Sequence, residues 1–241
     1  MAYQAPRRRA VTPGGRGRFP GFDVLAGADH WDEVTAGVVL SRLDPPTDYS
    51  FFTPTEQAAA GALFDVLLDQ REEPKIPVLK LVDQRLALDQ TDGWRYEDMP
   101  EDQTAWRMTL AALDADAGLR GGVAFHQLAG TDQIAVVGEV QRADRWHGWA
   151  GAHVWSLWTR YACAAFYSHP WAWNEIGFGG PAYPRGYKAL GLGKRENWEV
   201  ADAGGHDPAS PVSPAKNPNA ANSSGSGGAG AAGSGQGTLL G

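Results

Sequence analysis

An all-α fold, a helical bundle around one central apolar helix, is what this sequence predicts. Three observations lead there. Four segments repeat apolar residues at helical spacing, and one of them, GWAGAHVWSLWTRYACAAFY, is apolar over most of its circumference. No series of alternating residues competes as a sheet. The stretch HPWAWNEIGFGGPAYPRGYKALG, with five glycines and three prolines, forbids a long helix and is too broken for a central strand. It reads as a long aromatic Gly/Pro-rich loop.

The first helix is announced by FTPTEQAAAGALFDVLLDQ, with Thr53 as N-cap, Pro54 at the first helical position and Glu56 three residues past the cap. That is a capping box, in which two side chains satisfy two orphan amides of the first turn. Leu63, Phe64, Leu67 and Leu68 follow at helical spacing, with Asp65 and Asp69 on the other side. The second helix, IPVLKLVDQRLAL, starts at Pro77 and carries Leu79, Val82 and Leu86 on one stripe. A third, from about Pro100 to Leu119, places Trp106, Leu110 and Leu113 together, and GLRGGVAF interrupts it. GTDQIAVVGEVQRAD predicts a shorter helix capped by Thr131. The last helix runs from about Gly148 to Tyr167, with Val154, Leu157, Trp158, Tyr161 and Ala165 on one face and Trp155, Cys163 and Phe166 widening it.

Around this core the composition divides the chain of 241 residues into three. Residues 1–43 read as an extended basic arm, residues 44–200 as the helical domain, and residues 201–241 as a disordered Gly/Ala/Ser/Pro tail with too little apolar surface to offset backbone ordering. The arm holds Phe19, Phe22, Leu25 and Trp31, more apolar content than a linker needs, so part of Phe19–Leu43 is expected to order on a partner's surface.

The formal net charge of −7 argues against nucleic-acid binding, which runs on phosphate neutralisation. Arg7, Arg8, Arg9, Arg16 and Arg18 are the exception, and a solvated tail explains them better than a phosphate- or membrane-binding arm. Cys163 is the only cysteine, so no intrachain disulfide is available, and its apolar helical setting predicts a buried, inert thiol. No run of about eighteen apolar residues predicts a membrane span. AVTPGGRGRFPG, after Arg7–Arg9, lacks the hydrophobic segment of an export signal, so a cytoplasmic location is expected.

The search for chemistry is mostly negative. GFGGPAYPRG and GLGKRE both miss the phosphate-cradling patterns, and the haem-attachment, nucleophile-elbow and H-E-x-x-H patterns do not occur. His147 and His153, six apart, fall on different helix faces. Glu139, His126, His169 and Glu175 lack the spacing of a bundle metal site. The pairs Glu72–Glu73 and Glu101–Asp102 read as helix-end carboxylates, explained by solvation or the helix dipole. No catalytic, cofactor or metal residue is assigned.

The aromatic loop is therefore the main candidate, and two readings of it stay open. Trp171, Trp173 and Phe178 fold back over the bundle, or part of the set faces outward to dock a partner. Both hold if the tryptophans lie inside while Tyr183, Arg185 and Tyr187, of the types that dominate interface energetics, lie outside.

YSFFTPTEQAAAGALFDVLL near the start and FYSHPWAWNEIGFGGPAYPRGYKALG at the end together resemble the gluconate 2-dehydrogenase subunit 3 family, over about Tyr49 to Gly191. Gly180-Pro181-x-Tyr183, followed by Gly186-Tyr187 and Gly191, carries most of that likeness, although Pro184-Arg185 stands where members often have Gly-Gly-Asn. The resemblance implies a helical small subunit that holds no cofactor. Its partner would be a large FAD-containing subunit of the glucose–methanol–choline (GMC) type, which does the chemistry and needs the small subunit to mature. Carried onto this chain, Trp171, Trp173, Asn174, Phe178, Tyr183, Arg185 and Tyr187 would form the partner interface. The alternative is a self-sufficient helical enzyme or metal-binding protein using His153, His169, Glu175 and Arg185.

Overall fold

A computed structural model describes residue 19, residues 21–189, residue 191 and residues 194–201. The basic cluster at residues 7–18 and nearly all of the expected tail lie outside the described residues. A 3-10 helix, Val24–His30, leads into α1 (Glu33–Leu40) and a short 3-10 turn, Ser41–Leu43. The bundle follows as α2 (Pro54–Leu68), α3 (Val78–Ala87), α4 (Asp102–Gly121), a 3-10 turn at Phe125–Gln127, and α5 (Gly130–Arg142). A two-strand hairpin, β1 (Arg145–Trp146) and β2 (Trp149–Ala150), joins α5 to α6 (Gly151–Ser168), and α7 (Pro170–Ile176) closes the order. The protein is all-α apart from that hairpin.

Local chemistry sets most of these boundaries. Thr53 caps α2 as a full capping box, its backbone N–H donating to Glu56 Oε2 at 2.8 Å. Gly122, in the left-handed region at φ 70°, ends α4. Thr131 does not cap α5. Ala129 occupies the N-cap, its carbonyl accepting from Asp132 and Gln133, and the chain arrives from the preceding 3-10 turn with Thr131 already inside the first turn. α6 starts three residues later than expected because His147 and Gly148, both at positive φ, form the tight turn that pairs Trp146 with Trp149.

α6 is the centre of the bundle, packing on α2, α3, α5 and α7. Val154, Leu157, Trp158 and Tyr161 are buried there, and Trp106 of α4 meets Tyr161, Phe52 and Phe64 within a largely edge-on aromatic cluster. Cys163, however, is exposed. It shares a helical stripe with exposed Ala152 and half-buried Ser156 and Thr159, a side of α6 turned away from the core, so the buried thiol is corrected to a surface one.

The N-terminal segment also departs from expectation. Its described second half is largely helical rather than extended, and it packs on this chain. Val24, Leu25, Trp31 and Val39 form a second apolar core with Trp173 of α7. The ordered helical region thus begins before residue 44, because Trp173 offers the surface those side chains need. Among the described residues no helix is long and apolar enough to cross a membrane.

Candidate partner-binding segment

The segment begins where α6 gives way to α7. His169, 1% exposed, stands between them in extended conformation, and its Nδ1 accepts the Trp171 N–H at 3.2 Å. Pro170 at the first position and His169 as cap turn part of the expected loop into a two-turn helix, ended by Gly177 at φ 68°. The glycines and prolines forbid a long helix, not a short one.

α7 points Trp173 inward. Its ring is 5% exposed, its Nε1–H donates to the Tyr167 carbonyl at 2.6 Å, and the Arg42 guanidinium lies 5.9 Å from its centre. Arg42 also donates to the Ser168 carbonyl at 2.8 Å, and burial pushes its pKa down. Asn174 faces this chain too. Its Oδ1 accepts the Val24 N–H at 2.8 Å and its Nδ2 donates to Asp23, so it fastens the N-terminal 3-10 helix onto α7. Trp171 is half-buried beside His169, ring centres 5.1 Å apart.

Beyond Gly177 the backbone is held from inside. Gly180, at φ 77°, lies so close to Trp31 that a Cβ there would stand 2.7 Å from its ring. Arg185 donates to the Gly179 carbonyl at 2.7 Å and stacks 3.8 Å over the Trp198 ring. Tyr187 lies 5.5 Å from the same ring. The N-terminal core and Trp198 are thus the surfaces that let so irregular a segment order. Phe178, Tyr183 and Tyr187 of the same segment are nevertheless 40%, 65% and 53% exposed. Trp173 and Asn174 lie inside, the two tyrosines outside, and Phe178 keeps only one edge on Trp173.

The gluconate 2-dehydrogenase subunit 3 family matches residues 54–180, more than half of the chain. This chain belongs to that family. Nothing matches among curated proteins or solved structures. The span matched by gluconate 2-dehydrogenase subunit 3 runs from the first residue of α2 to Gly180, so it takes in the bundle, α7 and the start of the loop. The N-terminal cover and the stretch from Tyr183 to Trp198 lie beyond it. The family is that of a gluconate 2-dehydrogenase subunit, which implies a partner chain.

The four residues of the alternative site do not form a cluster in this subunit. His153 sits in the first turn of α6 and His169 just past its end, sixteen residues apart and so about 24 Å at the helical rise. His153 stacks on Tyr96 with ring centres 3.7 Å apart and meets Asp98 at 2.6 Å. The Ala150 N–H, together with His153, holds the Asp98 carboxyl below the usual range. Among the described residues no group of three His, Cys, Asp or Glu residues could hold a metal ion.

Two features escaped the sequence reading. Trp198 lies in a polar stretch and is not singled out by the sequence, and its stacking on Arg185 shows its role. Asp102, expected at a solvated helix end, is 5% exposed and accepts the Tyr161 hydroxyl at 2.6 Å. Burial and then Asp102 push that phenol far above its ordinary pKa.

Proposed function

We propose that this chain is the non-catalytic small subunit of an FAD-dependent sugar, polyol or glycoside oxidoreductase, stabilising or maturing a GMC-type large subunit that carries the flavin. The single observation behind this reading is the arrangement of the loop after α7. Phe178, Tyr183 and Tyr187 are exposed on one segment whose inner side is pinned by Trp31, Trp173 and Trp198. Large aromatics exposed on a pinned backbone cost little entropy to dock, and they are the types that supply most binding energy in protein interfaces. Family membership supports the reading by implying a partner chain in a dehydrogenase.

Co-expression with a GMC-type flavoprotein from the same source tests this. A yellow complex that oxidises a sugar is expected, with the separated small chain colourless and inactive. A lone chain that turned over a sugar, or held a stoichiometric redox centre, would end the proposal.

A further inference from the structure

The loop after α7 also forms one wall of a cleft of about 860 Å³, lined among others by His30, Arg185, Lys188, Glu196 and Trp198. Its charges are unbalanced. Arg185 spends its hydrogen bonds on the carbonyls of Gly179 and Pro181 and its face on Trp198, and its Nε is buried without an acceptor. Lys188 is exposed and forms no ion pair among the described residues. His30 ends the N-terminal 3-10 helix at the same cleft. Glu196 is the one acid in the lining, and its carboxylate already accepts the backbone N–H groups of Lys188 and Ala189. A chain of net charge −7 thus sets Arg185, Lys188 and Arg195 against the single carboxylate of Glu196 in one concave place.

We infer that this cleft seats an acidic segment of the flavoprotein partner, with Arg185 and Lys188 pairing its carboxylates. The inference rests on the partner reading above and adds the chemistry that the partner must present. Complementary charge selects the occupant, since a guanidinium held by carbonyls and an aromatic face keeps its net charge for an incoming carboxylate. Size and setting favour a protein segment over a small anion. The cleft is far larger than a phosphate or carboxylate group, and exposed Tyr183 and Tyr187 adjoin it in sequence as an interface surround.

The test compares complexes of the full-length chain with the flavoprotein at rising salt. Wild-type association should weaken as salt increases. Lys188→Glu, whose side chain makes no bond among the described residues, should weaken it about tenfold and flatten the salt dependence. Arg185→Gln should act in the same direction, with a thermal melt confirming that the loop's loss of a contact has not unfolded the chain. Should Arg185→Gln unfold, Lys188→Glu alone decides. A folded Lys188→Glu chain that binds with wild-type affinity and wild-type salt dependence overturns the inference while leaving the partner reading intact. Stoichiometric binding of inorganic phosphate or gluconate by the isolated chain, abolished by Lys188→Glu, would put a small anion there instead and overturn it too. A wild-type chain that forms no flavoprotein complex at any salt removes the partner reading, and this inference with it.

Discussion

Asp83 lies in α3, 2% exposed, and accepts backbone N–H groups from Ser50, Phe51 and Phe52 at 2.7, 3.1 and 2.8 Å. One carboxylate thereby holds the approach to α2 in place, and nothing in its local sequence announces that. Asp92 behaves similarly, accepting from both Arg85 and Arg160. Burial pushes its carboxyl pKa up, but the hydrogen bonds and charges of Arg85 and Arg160 outweigh burial and leave it below the ordinary range. A carboxyl pKa lowered on folding adds stability that is complete above the unfolded value of about 3.9 and lost as pH falls through the folded one. Asp92→Asn should therefore be less stable than wild type at neutral pH and converge on it below about pH 4. Urea midpoints across that range check this, and a gap independent of pH would refute it. Single-residue roles of this kind were the least legible, because a charge network is assembled from residues distant in sequence.

At the scale of the element, legibility follows how local the determining interaction is. The capping box of α2 involves residues three apart, so Thr53, Pro54 and Glu56 could be read directly. The cap of α5 could not, since the path of the chain into the helix decides which residue flanks it. Gly151 is a case of the same kind. It opens α6 against the end of α5, where a Cβ would stand 2.2 Å from the Ala143 carbonyl and 2.7 Å from that of Val140. Gly118, exposed in the last turns of α4, has nothing within 4 Å. Gly151→Ala is expected to cost about 1–3 kcal/mol or more through overpacking against rigid backbone. Gly118→Ala should gain about 0.5–1 kcal/mol from helix propensity. Denaturant unfolding of both variants measures the contrast, and equal effects would show that the close approach does not matter.

On the scale of the whole molecule, two apolar cores share one helical connection. The main one surrounds α6, and the smaller joins Val24, Leu25, Trp31 and Val39 to Trp173. Trp31 is the largest side chain the N-terminal segment contributes, and it also backs Gly180. Trp31→Ala should remove about 3–5 kcal/mol of local packing and speed amide exchange in residues 24–43 and in α7, while α2 to α6 keep their protection. Exchange that quickened equally throughout would mean the two cores unfold as one.

The helical class, the order of the main helices, the α2 cap and the family resemblance were all determined by the sequence alone, since periodicity, capping and motif spacing act over a few neighbouring residues. Only the tertiary structure decided that the N-terminal segment folds onto α7, that Cys163 faces outward, that Asn174 turns inward and that Arg185 stacks on Trp198. Each of those depends on which surface another, distant segment offers, and hydrophobic burial has no direction until that surface is in place.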